Sequence, residues 1–300
     1  MPHSHDEPGV SGVYWALIIT FSVFTLELVG GFLTNSLSLA SDALHVFLDA
    51  FSLVLVISAI TVSCRIPSKT ITFGFHRVEV IVALINGSFL TGASAYIFVE
   101  AIQRIVNPEP VLSLHVLGIA LIGLVANVFV LKKFNFHEDD LNVQSAYLHV
   151  LSDTITSVGV ILGAALIWLT GAYWVDGLLG AVIGVFILIQ AVRLINRSMH
   201  VLLQGTPVDV DVDALIATMK KQKGVTDVHH VHVWTLCSRI NVLSAHVVVS
   251  FDSIQKSEEL NDALKQKLAK YHIGYTTLQF ESTRKSGAPL VHLTHAKKRF

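Results

Sequence analysis

Six long apolar runs occupy most of the first 200 residues of this 300-residue chain. Each run is long enough to cross the roughly 30 Å hydrocarbon core of a bilayer as a helix. Only 14% of the residues are charged, whereas a soluble domain contains about 25%. The sequence therefore predicts an α-helical membrane protein with six transmembrane helices, near 13–33, 37–62, 79–105, 112–132, 143–170 and 175–198.

The basic residues between these runs predict the orientation of the spans. On one face, the connections and the exit of the sixth span contain Arg65, Lys69, Arg77, Lys132, Lys133, Arg193 and Arg197. The opposite connections, at 34–36, 107–113 and 171–173, contain no Lys or Arg. Basic loops remain in the cytoplasm. Both termini and the region after the sixth span are therefore predicted to be cytoplasmic.

Two of the apolar runs contain the same polar pair, His-x-x-x-Asp. The pairs are His45 with Asp49 and His149 with Asp153. Residues four apart lie on one face of a helix, and ionisable residues inside a span are costly. Two such helices facing each other would present two nitrogens and two oxygens, a set that suits tetrahedral zinc. We therefore predict a metal site between the second and fifth spans.

Other polar residues within the spans have less specific interpretations. We expect Glu27 and Glu100 near the ends of their spans, in contact with interfacial water. Asn127 and Gln190 are interpreted as partners in interhelical hydrogen bonds. Asp42, one turn before the histidine of the second span, has no assigned role beyond a structural or access-path one.

Composition excludes several other classes of protein. The net charge of −1 gives no indication of nucleic-acid binding. Cys64 and Cys237 form neither a disulfide framework nor a thiolate metal site, and are interpreted as buried small side chains. The N-terminal tail has no basic segment and no cleavage site typical of a signal peptide. Its His3 and His5 are expected in a disordered polar tail.

The last third of the chain has the composition of a soluble domain. Its hydrophobic periodicity predicts a small α+β domain of order αββαβ, with elements at 214–223, 228–234, 241–251, 254–271 and 275–281. The predicted organisation is a tail at 1–12, a transmembrane domain at 13–204, a soluble domain at 205–284 and a basic tail at 285–300.

Four segments together resemble the cation diffusion facilitator family, specifically its bacterial zinc-efflux branch. They are Ser41-Asp42-Ala43-x-His45-x-x-x-Asp49, Phe73-Gly74-Phe75-His76-Arg77-x-Glu79, His149-x-x-x-Asp153 and Val228-His229-His230-Val231-His232-Val233-Trp234. The resemblance implies six spans, a cytoplasmic metallochaperone-like domain for metal binding and dimerisation, a homodimer, metal/proton antiport and location in the bacterial inner membrane.

The resemblance also implies which residues bind metal. The transport site would be formed by His45, Asp49, His149 and Asp153. Imidazole in this set favours zinc over magnesium, calcium and manganese. In the cytoplasmic domain, zinc sites at the dimer interface would be formed by His229, His246 and Glu281, with His232 as a further candidate.

The sequence departs from some family members at three places. Gln279 stands where a stronger ligand occurs in some members, which predicts a weaker cytoplasmic site. Some members bind a further zinc in the loop at 64–77 with one Asp and two His; only His76 of such a set is present here, so no separate site is expected. Gln204 replaces an acid and cannot form an ion pair with Arg77.

We predict a secondary active transporter that exports Zn²⁺ in exchange for protons by alternating access, with Cd²⁺ and Co²⁺ as alternative substrates. Metal and protons compete for the same ligand atoms. The alternative is a zinc-binding membrane sensor or structural protein without transport. A metalloenzyme would need an open coordination position and a nearby catalytic group, so we do not predict an enzyme.

Overall fold

The structure is a computed structural model. It describes residues 10–133, 141–237 and 240–283, and the side chains of these residues except at 10–20, 49, 53, 133 and 141–149. The predicted tails, apart from residues 10–12, lie outside the described residues, and so do His3, His5 and the side chains of Asp49 and His149.

The six apolar runs all form helices, as predicted. They are α1 Val10–Thr34, α2 Leu37–Ser63, α3 Arg77–Val106, α4 Ser113–Lys133, α5 Leu141–Thr170 and α6 Trp174–Leu202. Within the described residues, α2 to α6 are long and apolar enough to cross a membrane, and Phe21–Thr34 of α1 is a shorter apolar stretch. Large apolar side chains such as Phe32, Ile57 and Leu169 are exposed. This exposure is typical of surfaces that face lipid.

The chain forms two compact units, the first comprising Met1–Leu55 and Ile85–Leu194, the second Val56–Leu84 and Ile195–Phe300. The first unit has a core of aliphatic side chains that includes Leu39, Ile97 and Ile187. The core of the second unit includes Leu215, Met219, Leu243, Leu264 and Leu268.

Glycines let helices of the first unit approach closely. A Cβ on Gly31 would lie 2.8 Å from the backbone nitrogen of Ala40, so the turn from α1 into α2 has no room for a side chain there. A Cβ on Gly180 of α6 would lie 2.8 Å from Leu37 at the start of α2. These contacts bring the first turns of α2 against α1 and α6.

The soluble domain has the predicted αββαβ order. Its elements are α7 Val212–Lys220, β1 Val225–Cys237, β2 Ile240–Val249, α8 Ile254–Leu268 and β3 Ile273–Glu281. The strand order is β1-β2-β3. The pair β1/β2 is antiparallel and the pair β2/β3 is parallel. A parallel pair needs a crossover, and α8 provides it, with buried Leu260, Leu264 and Leu268.

One interpretation of the cysteines is wrong. Cys237 is buried, but Cys64 is exposed. Cys64 follows the last residue of α2, where the chain leaves the helix.

Candidate metal centres

The structure brings together one residue from each predicted His-x-x-x-Asp pair. His45 of α2 and Asp153 of α5 approach to 3.8 Å between Nε2 and Oδ1. His45 is only 3% exposed, and its ring lies edge-on to Phe186 of α6 at 5.7 Å between centroids. Two ligands on one tetrahedral zinc ion are about 3.3 Å apart, given zinc–nitrogen bonds near 2.0 Å. The two side chains are therefore close enough to share a metal ion after a small contraction.

The other half of the quartet remains a prediction. Asp49 lies in α2 and His149 in α5, four residues from His45 and Asp153, respectively. That spacing places residues on the same helix face.

Glu27 lies deeper than the sequence indicated. We predicted contact with interfacial water, but the side chain is only 2% exposed. It packs against α4, where a Cβ on Gly123 would overlap its Oε1 atom. The prediction was wrong because the glycine leaves a notch in α4, and sequence position alone does not reveal which helix faces a carboxylate. Glu100 differs: it is partly exposed and pairs with Arg104 at 3.0 Å.

Asp42 contacts the fifth span directly. Ser157 of α5 donates to Asp42 Oδ2 at 3.5 Å, and Asn127 of α4 donates to the Ser157 hydroxyl at 3.4 Å. This confirms the interhelical hydrogen bond predicted for Asn127. Gln190 is exposed and shows no such bond within the described residues. A buried carboxylate thus links α2 to α5 one turn from His45.

In the soluble domain, three predicted ligands from three strands come together. His246 Nδ1 lies 2.8 Å from Glu281 Oε1, and His229 Nε2 lies 3.3 Å from Glu281 Oε2. The two histidines are register partners on β1 and β2, with ring centroids 5.3 Å apart. A single carboxylate therefore lies between the two imidazoles.

His230 joins this cluster, and His232 does not. The pairing of β1 with β2 is irregular between His229 and His232, and His230 has a left-handed backbone with φ of 50°. This bulge brings two consecutive side chains towards one cluster, although a regular strand would send them to opposite faces. Ligand atoms of His229, His230 and His246 all lie within 4.8 Å of one another. His232 is exposed opposite Ser244.

The donor set of this cluster fits zinc. Three imidazoles form a ligand set of a kind that zinc uses, and the Glu281 carboxylate lies beside two of them, 3.3 Å from His229 and 2.8 Å from His246. His229 is only 1% exposed, so its ring is held against the sheet. The sequence contained one signal for the missed candidate His230, the His229-His230 doublet within a strand.

The loop between α2 and α3 forms no group of this kind. Its His76 lies beside Cys237, with 3.9 Å between Nδ1 and Sγ, and Phe73 stacks edge-on against Tyr275. Across the part of the chain that the structure describes, the histidine cluster is the only group of three such metal ligands.

Family models match both parts of the chain. The model described as "Cation efflux transmembrane domain" matches residues 13–203. The model described as "Cation efflux protein, cytoplasmic domain" matches residues 207–283. The boundary between them lies beside the one predicted from composition.

Curated relatives are similar over nearly the whole chain. The "Cadmium, cobalt and zinc/H(+)-K(+) antiporter" of Bacillus subtilis is 37% identical over 94% of this chain and 92% of its own length. The "Metal cation efflux system protein CzcD" of Cupriavidus metallidurans is 37% identical over 93% and 89%. "Zinc transporter ZitB" of Pectobacterium atrosepticum is 36% identical over 94% and 89%. This multi-pass membrane protein therefore belongs to the cation efflux family, the cation diffusion facilitators.

Proposed function

We propose that this chain exports Zn²⁺ from the cytoplasm in exchange for protons. The observation that supports this most directly is the contact between His45 and Asp153, on two apolar helices, at 3.8 Å. The names of the relatives support zinc, cadmium and cobalt as substrates, and one name includes proton exchange. The proposed location is the bacterial inner membrane with both termini in the cytoplasm, on the basis of the basic loops.

The coupling follows from the chemistry of the proposed ligands, His45, Asp49, His149 and Asp153. Histidine binds metal only as the neutral imidazole, and carboxylate only as the anion, so binding zinc releases protons. Zinc and protons therefore compete for the same ligand atoms, and histidine is the side chain best suited to such an exchange. A site open to the cytoplasm takes zinc, and the same site open to a more acidic exterior takes protons and releases zinc.

The direct test is flux in vesicles that contain the purified protein. With an acidic interior, we expect zinc to accumulate inside while protons leave, measured by a zinc dye and a pH dye together. Zinc binding without flux would contradict transport and favour a membrane zinc sensor. The same assay with cadmium, cobalt, iron and manganese determines selectivity, and imidazole ligands favour the zinc-like ions.

We further propose that the cytoplasmic cluster binds zinc, stabilises a homodimer and adjusts transport to cytoplasmic zinc. Support comes from the meeting of His229, His246 and Glu281. Replacing both histidines with alanine should lower the response of transport to cytoplasmic zinc but leave residual flux. Flux is measured over a series of zinc concentrations, with dimer content followed by light scattering. Complete loss of flux in a folded double variant would contradict a regulatory role.

A further inference from the structure

We propose that Asp176 is a positioning residue for the zinc site, because it fixes the start of α2, the helix that contains His45. Asp176 lies in the first turn of α6 and is only 1% exposed. That Asp176 matters for transport rests on the proposed function. Its structural basis lies in the first unit alone.

The carboxylate of Asp176 caps α2 from another helix. It accepts hydrogen bonds from the backbone nitrogens of Leu37 at 2.6 Å and Ser38 at 3.2 Å. The hydroxyls of Ser36 and Ser38 donate to it at 2.7 and 2.6 Å. The first amides of a helix have no partner within the helix, and a negative charge is favourable there. The preceding residue, Ser36, provides the usual local cap by accepting from the Leu39 amide at 3.3 Å, and Asp176 of α6 caps the two amides before it.

Arg104 of α3 binds the same turn. It donates to the backbone oxygen of Asn35 at 2.5 Å, to the Asn35 side chain at 3.0 Å and to Asp176 at 3.5 Å. Asn35 has a left-handed backbone, with φ of 54°, at the tight turn between α1 and α2. Helices α3 and α6 therefore hold the start of α2 through one network of charged hydrogen bonds.

Asp176 is a poor candidate for a metal ligand itself. Its Oδ1 accepts from Ser36 and Ser38, and its Oδ2 accepts from Leu37 and Arg104. With both oxygens engaged by donors, binding a cation would require breaking the cap. The residue therefore acts through α2.

The distance to the metal site is short enough for such an effect. His45 lies eight residues after Leu37, or roughly 12 Å along a helix that rises 1.5 Å per residue. Each residue also turns a helix by about 100°, so a small slip at the capped end changes both the depth and the direction of the imidazole. The cap thus helps set the approach of His45 to Asp153.

The test compares zinc binding by full-length variants in which His229→Ala and His246→Ala remove the cytoplasmic site. Asp176→Asn loses one acceptor oxygen and places an amide against the N–H groups of α2. We expect the zinc dissociation constant of the folded protein to rise about tenfold, with a matching rise in the half-saturating zinc for flux. Glu109→Gln is the control, because exposed Glu109 accepts a hydrogen bond from the Asn35 side chain at the same turn and forms no hydrogen bond with α2 among the described residues, so it should change neither value.

A role confined to stability predicts a different result. The yield or melting temperature of Asp176→Asn would fall, while the folded fraction would bind zinc as the parent does, and this outcome would overturn the inference. If that variant does not fold, Ser38→Ala retains the carboxylate and the Ser36 cap but removes one donor to Asp176. It should still weaken binding, whereas unchanged binding overturns the inference. A parent protein that binds zinc but does not transport it contradicts the proposed function alone, because the binding comparison remains valid.

Discussion

Replacing Asp153 with alanine should reduce zinc flux by at least about 100-fold in vesicles. The variant removes the carboxylate that lies 3.8 Å from the buried imidazole of His45. Loss of a partner that merely supports a metal ligand already costs roughly 10–100-fold in affinity or activity, so loss of a ligand should cost more. Initial zinc flux per folded protein, at saturating and at low zinc, measures the effect.

Thr154→Ala is the matched control for this variant. Thr154 is the next residue of α5, and its hydroxyl donates to the backbone oxygen of Val150 at 2.7 Å, a bond within the helix. Its removal should leave flux within about twofold of the parent, because substitutions that break no special feature change the free energy of unfolding only slightly. Normal flux in Asp153→Ala would refute the proposed membrane site, whatever the control shows.

Replacing His230 with alanine should weaken zinc binding by the cytoplasmic domain roughly 10–100-fold, the range observed even for the outer partners of metal ligands. The bulge places this imidazole with His229 and His246, within 4.8 Å. The matched change His232→Ala lies on the same strand but at an exposed position, and should change affinity by less than about twofold, an effect of ordinary surface size.

Binding is measured by competition with a chelator, on full-length protein that also contains Asp153→Ala, so that the membrane site does not contribute. The two variants distinguish His232, the candidate from sequence, from His230, the residue that joins the cluster in the structure. If His232→Ala weakens binding and His230→Ala does not, the cluster in the structure is not the zinc site. Equal and small effects of both changes would indicate that His229, His246 and Glu281 suffice.

The membrane topology illustrates what hydropathy can predict. The six helices begin and end close to the predicted positions, because a bilayer requires about 20 apolar residues in each span. The αββαβ order could also be predicted, because apolar residues recur about every 3.6 positions in a helix and every second position in a strand. Neither signal reports which side chains meet, because periodicity describes one element at a time.

The polar residues of the spans show where that limit lies. The sequence around Glu27 is compatible with a position at the lipid interface and with one between two helices. The contact with Gly123 of α4, where there is no side chain, shows that Glu27 lies between helices. Asp42 had no assigned role until Ser157 of α5 was seen to donate to it. In the same way, the sequence shows Asp176 only as an acidic residue in the first turn of its own helix. In the structure, its carboxylate accepts hydrogen bonds from the first turn of α2.

Hydropathy and residue spacing were enough to predict the class of this protein, its six apolar helices, its two domains and the residue types of a candidate zinc site, because a bilayer requires spans of a certain length and zinc favours certain ligands. Only the three-dimensional structure reveals that His45 faces Asp153, that Asp176 of α6 caps α2, and that a bulge puts His230 rather than His232 into the histidine cluster. These features depend on contacts between elements distant in sequence and on one left-handed backbone residue, and a period of 3.6 or 2 specifies neither.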